Sequence, residues 1–342
     1  MSVPRVSVIM PNYNHADSLD RTIAAVRAQT VPPLEILFVD DCSTDDSVAI
    51  AKAAGVRVVS TPVNRGPAAA RNLGAQLASG DVLLFLDSDV ELAPTVIERA
   101  TTLLDARPEV GAVCGMLDDV PLKRDSLLQE CRCLQAHYWR ISSEGVVSFL
   151  FSAVCAMPAE VFAEMGPFDP RLRETEEVEY GQRLSTRYQV LLTSALSGRH
   201  RDEPRLWPLL RKLFRRSRLR VPLYTKRRRF AKGFETSARI FGSVAATAAF
   251  LSLPAVLAGP LFALAPAALL AASIGCDAGM YRFVFRRRGI GFGLFFTGVQ
   301  VLQSVAIVAG AGFGALQWLA SREFRGLYDL APQPRPIRLS AA

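Results

Sequence analysis

Charge is missing from two long stretches of this sequence: no Asp, Glu, Lys or Arg falls within residues 240–276 or within 290–320. Each stretch is longer than the roughly 20 apolar residues that cross a bilayer, which argues against an entirely soluble chain. Histidine is also scarce, with three in 342 residues, and the six cysteines form no zinc pattern. Cys131 and Cys133 are separated by a single residue, closer than the usual ligand spacing, and no second pair completes them. The cysteines are therefore expected to be reduced and mostly buried as small apolar residues. A secretory leader is not expected either, because the apolar run 6–10 is too short for one and Pro11 follows at once.

What is present is unevenly distributed. The net charge is +8, yet residues 201–232 hold thirteen Lys or Arg against Asp202 and Glu203, so the rest of the chain is slightly acidic. A basic run directly before an apolar segment is expected to face the cytoplasm and anionic lipid. A nucleic-acid patch is the competing reading. It is disfavoured because a membrane segment follows immediately and no aromatic pattern interleaves the charges.

The first 200 residues mix charged and apolar positions as a folded head does. Residues 6–10 read as a strand closed by the turn 11–15, and 18–29 as a helix with Leu19, Ile23 and Val26 on one face. Residues 35–39 are a second strand ending in Asp40 and Asp41. Residues 42–45 offer N-caps for a helix to about Ala54, and 56–60 are a third strand. Asn64-Arg-Gly-Pro67 leads into a helix over 68–78, with Pro67 suited to its first position and Arg71 about one turn in. A helix over 94–106 and a strand over 110–114 complete this half. The order β-α-β-α-β is that of a nucleotide-binding sheet, whose strands end at one ligand-presenting edge.

The centre of this half is Val82-Leu-Leu-Phe-Leu-Asp-Ser-Asp-Val90, an apolar run that reads as a strand buried on both faces and leads into Asp87 and Asp89. Two carboxylates flanking the small Ser88 suit a hard cation, which takes one or two carboxylates together with phosphate oxygens. The plain alternative is a turn with Asp89 near a helix start.

Taken together, Val6-Ser-Val-Ile-Met-Pro-Asn-Tyr-Asn14, Val39-Asp-Asp41 with Ser43-Thr-Asp45, Asn64-Arg-Gly66 with Arg71-Asn-Leu-Gly74, and Leu86-Asp-Ser-Asp89 resemble family 2 nucleotide-sugar glycosyltransferases of the GT-A fold. The resemblance covers about residues 3–205. It implies an α/β head with a Rossmann-like mixed sheet, followed here by C-terminal transmembrane helices. It also implies that Pro11, Tyr13, Asp41, Arg71, Asp87 and Ser88 lie on the donor side. Tyr13 and Asp41 would meet the nucleobase, by ring contact and by accepting an imide-type N–H. Arg71 would lie near the base and diphosphate, where a guanidinium makes bidentate contacts. Asp87 would meet ribose and metal, and Asp89 would be the ligand bridging Mg²⁺ or Mn²⁺ to the diphosphate. The alternatives are a packed ring for Tyr13 and a helix cap for Asp41.

The acceptor half is less legible. Residues 115–145 include a helix with Arg132, His137, Tyr138, Trp139 and Arg140 that faces either an acceptor or the bilayer. Residues 146–156 resemble the family's strand before its acid motif, and Glu176-Glu-Val-Glu-Tyr-Gly-Gln-Arg-Leu184 resembles that motif. The resemblance makes Glu177 the base that takes the acceptor's proton while the metal supports the leaving nucleoside diphosphate. The family usually has Asp there, so Glu176 and Glu179 remain alternatives, and an acidic first helical turn favoured by the helix dipole is the structural reading. Residues 190–193 read as a strand, and His200 after it is expected either to complete the metal shell or to be an ordinary loop histidine.

The expected organisation is a glycosyltransferase head over 1–205, a basic amphipathic juxtamembrane segment over 206–236, a transmembrane region of about three spans over 237–320, and a tail over 321–342. Within it, 240–276 is long for one span and short for two, favouring a hairpin that turns near Gly259-Pro260. Residues 290–320 give one long tilted span or a re-entrant pair. The implied activity is inverting, metal-dependent transfer from a nucleotide-diphospho-sugar to a hydroxyl of a lipid-linked or glycan acceptor. The implied location is the inner or plasma membrane, with membrane lipids as partners, no nucleic acid, and the catalytic head cytoplasmic. Transfer to a polyprenyl phosphate and a non-catalytic nucleotide-binding scaffold are the alternatives.

Overall fold

The computed structural model describes residues 4–227 and 236–329. The described chain forms two compact units, residues 4–123 with 140–201, and residues 124–139 with 202–227 and 236–329. The tail expected over 321–342 lies largely outside the described residues, as does part of the basic segment.

The first unit is built on one mixed sheet of nine strands. In chain order these are β1 (Val6–Asn12), β2 (Glu35–Asp40), β3 (Arg57–Ser60), β4 (Val82–Leu86), β5 (Val90–Leu92), β6 (Val110–Leu117), β7 (Gly145–Val147), β8 (Val154–Pro158) and β9 (Gln189–His200). Their order across the sheet is β3-β2-β1-β4-β8-β6-β9-β5, with β7 on β9. The first four are mutually parallel in the order 3-2-1-4, so β1, β2 and β4 present their C-terminal ends at one edge. Every residue of β1 and β4 is buried, as a strand covered on both faces requires.

Helices α1 (Ala16–Arg27), α2 (Ser47–Ala53), α3 (Pro67–Leu77) and α4 (Val96–Ala106) follow the expected alternation. Three local expectations change. β1 runs on to Asn12, so Pro11 pairs with Val39 inside a strand instead of opening the turn. Pairing of β1 to β4 ends at Ile9, and a residue with no N–H is tolerated beyond it. α2 starts at Ser47 with no side-chain cap; the Asp45 carboxylate instead accepts the N–H groups of Ser47 and Ala16, tying the start of α2 to the start of α1. The strand expected over 146–156 is two strands, β7 and β8, separated by a buried loop in which Phe149, Leu150 and Phe151 are inaccessible. A buried apolar loop has the composition of a buried strand, so only pairing distinguishes the two.

The second unit is helical. It contains most of α5 (Leu127–Ile141); α6 (Ala159–Met165) and α7 (Glu176–Leu184) belong to the first unit. After α8 (Leu206–Arg227) and α9 (Ser237–Ser252), two 3₁₀ turns over Leu253–Ala258 and Pro260–Ala263 flank Gly259, and α10 (Leu264–Cys276) returns. The hairpin therefore turns where the sequence suggested. α11 (Ala278–Ala320) is broken at Gly289, whose φ of 80° and ψ of 178° separate a basic first part from the uncharged 290–320. α12 (Arg322–Arg325) ends the described chain. Two segments, Ser237–Ala258 and Ala278–Ala320, are long and apolar enough to cross a membrane.

Polar contacts fix α5 within this unit. Gln135 Nε2 donates to Gln300 Oε1 at 2.8 Å and Arg132 Nη1 to Gln303 Oε1 at 3.1 Å, while Trp139 Nε1 donates to Asp277 Oδ2 at 2.8 Å. The rings of His137 and Tyr138 pack on Phe283. α8 lies against the second part of α11, where a Cβ at Gly310 would meet Ser217 and the Phe214 backbone, and one at Gly314 the Arg218 backbone. Glycines four apart let the two helix backbones approach closely.

Candidate active site

The buried hub of the site is Arg71, on the second turn of α3. Gly74, one turn later, has no room for a Cβ against Ile9 and Val39, so α3 rests its backbone on the sheet and carries Arg71 inward. The guanidinium is 4% exposed and reaches Asp87 Oδ1 at 2.9 Å through Nη2 and Glu176 Oε1 at 3.1 Å through Nη1. Burial opposes its charge, but Asp87, Glu176 and Glu177 outweigh that and raise its pKa above the usual arginine range. The guanidinium also lies over the Phe168 ring, with its carbon 5.8 Å from the ring centroid.

Asp87, Ser88 and Asp89 form a tight turn from β4 into β5, closed by the Val90 N–H donating to the Asp87 carbonyl at 3.1 Å. Asp89 thus precedes a short strand, and α4 begins only at Val96. Thr22 Oγ1 on α1 donates to the Ser88 carbonyl at 3.0 Å and pins the turn, whereas the buried Ser88 hydroxyl has no hydrogen-bond partner among the described residues. The Asp89 carboxylate is largely buried, with His200 Nε2 3.3 Å and His15 Nδ1 3.8 Å from its Oδ2. His200 is the last residue of β9 and pairs with Val90 in the ladder, so strand pairing places it there in preference to a loop. His15, in the turn before α1, is the functional candidate that sequence reasoning passed over; its scarcity as a residue type and its place in the turn after β1 were the available signal.

On the acceptor side, the three glutamates that open α7 have different surroundings. Glu176 is spent on Arg71, and Glu179 on Arg183 at 3.0 Å, both largely buried. Glu177 is half-buried, and its Oε1 accepts from the Ser152 N–H at 3.1 Å and from the Ser152 hydroxyl. Ser152 reaches it because Gly181, one turn along α7, leaves room for the backbone of Phe149 and Leu150; a Cβ there would collide with both.

Two expected donor residues stand apart from this cluster. Tyr13 is 47% exposed just beyond β1. Asp41 follows β2 at the same sheet edge, and its carboxylate accepts the N–H of Arg65 at 2.9 Å and of Gly66 at 2.6 Å and the Thr61 hydroxyl at 2.8 Å. It organises the loop before α3; it caps no helix.

Among the described residues, no group of three or more His, Cys, Asp or Glu side chains is gathered closely enough to hold a metal ion alone. The carboxylate and imidazole donors at Asp87, Asp89 and His200 still fit a hard divalent cation, which keeps several waters or phosphate oxygens in its shell. The orphaned, buried Ser88 hydroxyl at the centre of the turn is consistent with a polar ligand there.

Residues 7–132, which contain the Arg71, Asp87 and Asp89 constellation, match the family model described as Glycosyl transferase family 2. The chain carries a family 2 glycosyltransferase domain. The chain is 33% identical over 210 residues to the succinoglycan biosynthesis protein ExoO of Rhizobium meliloti, covering 59% of each chain. It is 40% identical over 104 residues to an uncharacterized glycosyltransferase of Haemophilus influenzae, covering 29% of this chain and 42% of that one. The chain thus spans about half the length of these curated relatives. Its fold is similar to that of a mannosyltransferase, PcManGT from Pyrobaculum calidifontis, solved with GDP-Man and Mn²⁺, at a TM-score of 0.56 and 20% identity over 90% of this chain and 88% of that one. The head is accordingly a GT-A type mixed α/β sheet, and helices follow it.

Proposed function

We propose that the protein is a membrane-attached glycosyltransferase that moves a sugar from a nucleotide-diphospho-sugar to a hydroxyl of a lipid-linked or glycan acceptor, with inversion. The observation that carries this reading is the first turn of α7, where Glu176 clamps the Arg71–Asp87 hub while Glu177 alone of three glutamates stays accessible. In this reading Pro11, Tyr13 and Asp41 border the nucleobase pocket. Arg71, Asp87 and Ser88 form the floor under ribose and diphosphate, and Asp87, Asp89 and His200 hold Mg²⁺ or Mn²⁺. The cation, when bound, offsets the charge of the departing nucleoside diphosphate. Glu177, oriented by Ser152, takes the acceptor proton at a carboxylate oxygen. The head comprises about residues 1–205, and the basic and apolar residues after it attach the protein to the cytoplasmic face of the inner or plasma membrane.

The test is a panel of nucleotide sugars with membrane lipids and Mg²⁺ or Mn²⁺, read as released nucleoside diphosphate. Turnover with one donor is expected, and Asp89→Ala should abolish it; full activity in that variant would refute the metal assignment. Binding of nucleotide with no turnover across the panel would instead identify a scaffold. A polyprenyl phosphate acceptor is the second chemistry, because its anionic oxygen needs little base help. Glu177→Gln separates the two, costing about 10²-fold or more with a hydroxyl acceptor and little with a phosphate.

A further inference from the structure

The tip of the α9–α10 hairpin has a composition that a fully crossing hairpin would not have. Residues 253–263, Leu-Pro-Ala-Val-Leu-Ala-Gly-Pro-Leu-Phe-Ala, contain no side chain able to hydrogen-bond. They are also open to the surroundings, with Leu257 92% and Leu261 78% exposed. A loop emerging on the far side of a bilayer would meet water and headgroups and is expected to carry polar residues there. This tip instead satisfies its own backbone. The Gly259 N–H donates to Val256 at 3.2 Å and the Phe262 N–H to Gly259 at 3.1 Å. Pro254, Pro260 and Pro266 stand at or near the starts of the returning turns and helix and remove N–H groups that would otherwise lack partners. Self-satisfied backbone is what hydrocarbon demands.

Length points the same way. As α-helix to Ser252 and 3₁₀ turns to Ala258, residues 240–258 span about 31 Å, which covers roughly 30 Å of hydrocarbon but leaves nothing for the headgroup layer that an emerging loop would have to reach. Both feet of the hairpin are polar: Arg239 Nε lies 3.2 Å from Asp277 Oδ2. Immediately after that foot, Gly279, Arg282, Phe283, Arg286 and Arg287 line an open cleft of about 340 Å³. Three guanidinium groups beside an apolar hairpin match the phosphate level of an anionic leaflet.

The remaining apolar segment is not free to cross either. α8, packed along 310–317 through Gly310, Gly314 and an Arg218 Nε bond of 2.8 Å to Gln317, carries eight Lys or Arg and no acid. Each of those charges opposes drawing such a companion through hydrocarbon. The side of 290–320 turned away from α8 exposes Leu294, Phe295, Leu316 and Leu319, an apolar stripe along the helix.

We propose that the hairpin 240–276 enters an anionic bilayer re-entrantly from one side, its tip remaining in hydrocarbon, with α8 and 290–320 lying in the plane of that same leaflet and the Arg282, Arg286 and Arg287 cleft at its phosphates. This rests on the membrane-attached reading above and specifies how the attachment is made. It replaces three crossings with none, so the chain on either side of the hairpin lies on one face.

The full-length protein is reconstituted in sealed vesicles of phosphatidylcholine with phosphatidylglycerol, carrying Cys276→Ser and Leu257→Cys, with the exposed native Cys42 reporting the side of the head. With Cys42 facing out, the probe at position 257 should resist a membrane-impermeant maleimide applied outside or trapped inside, and a fluorophore placed there should be quenched by lipids brominated deep in their acyl chains. Reaction with the trapped reagent would mean the hairpin crosses and overturns the proposal. Reaction from outside, with the protein washed off by alkaline carbonate, would mean there is no membrane attachment, a distinct failure that removes the underlying reading. Leu251→Cys and Leu261→Cys, also at exposed positions, repeat the measurement should one probe perturb folding. Replacing Arg282, Arg286 and Arg287 together by Gln should weaken binding to the anionic vesicles by about 10²-fold and leave binding to pure phosphatidylcholine nearly unchanged; equal loss on both would overturn the assignment of the cleft to anionic headgroups.

Discussion

Arg71 joins the β4–β5 turn to α7 in the candidate site, and its surroundings give it a structural role whatever it binds. Its guanidinium neutralises Asp87 and the buried Glu176. Arg71→Ala would leave those carboxylates facing one another without a cation, at a cost of about 3–5 kcal/mol, measurable as a lower urea midpoint. Arg71→Lys keeps the charge but loses the two-pronged geometry and should fall between the two. Nearby, burial acts to raise the pKa of Asp45, but hydrogen bonds from Ser47 and Ala16 outweigh it and hold the pKa below the ordinary aspartate value. A carboxylate depressed in the folded state stabilises above its unfolded pKa, and that contribution fades as pH falls through the folded one. Asp45→Asn should therefore lower the melting temperature at neutral pH and leave it nearly unchanged at the acidic end, where the native side chain is itself protonated. Motifs made Arg71, Asp87, Asp89 and Glu177 legible from sequence. Glu176 as partner of Arg71 was not, because a contact across 105 positions leaves no local trace.

At the scale of elements, α7 and the loop 148–153 depend on each other. Gly181→Ala would force a methyl into the backbone of Phe149 and Leu150. A loss of about 1–3 kcal/mol in chemical denaturation is expected, together with a fall in turnover as Ser152 leaves Glu177. Retained stability with lost turnover would show that the loop had shifted to accommodate the methyl. The strong apolar runs at β1, β2 and β4 were readable because burial on both faces leaves an unbroken signature. The three-residue β5 was too short for any period, and most of the twelve-residue β9 was hidden because Ser194, Ser197 and Gly198 interrupt its hydrophobicity. Those two strands are the pair that brings His200 to Asp89, so that corner of the candidate site was the part the pattern described least.

For the whole molecule, composition announced the uncharged C-terminal stretches but not what packs on them. α5 was expected to face either an acceptor or the bilayer, and its Arg132 and Gln135 instead bind Gln303 and Gln300 inside the apolar unit. Helical periodicity identifies an apolar face without naming its partner. If attachment relies on hairpin insertion as well as charge, molar salt should leave the protein in the membrane pellet and detergent should release it. Release by salt alone would reduce the anchor to the basic residues.

The first turn of α7 has a consequence for kinetics. Glu176 and Glu177 are consecutive residues, one paired with the Arg71 guanidinium and the other with Ser152. A shift of this helix cannot move one without the other. If Arg71 meets the donor and Glu177 is the base, as proposed, substitutions along α7 should change the Michaelis constant for donor and the turnover number together.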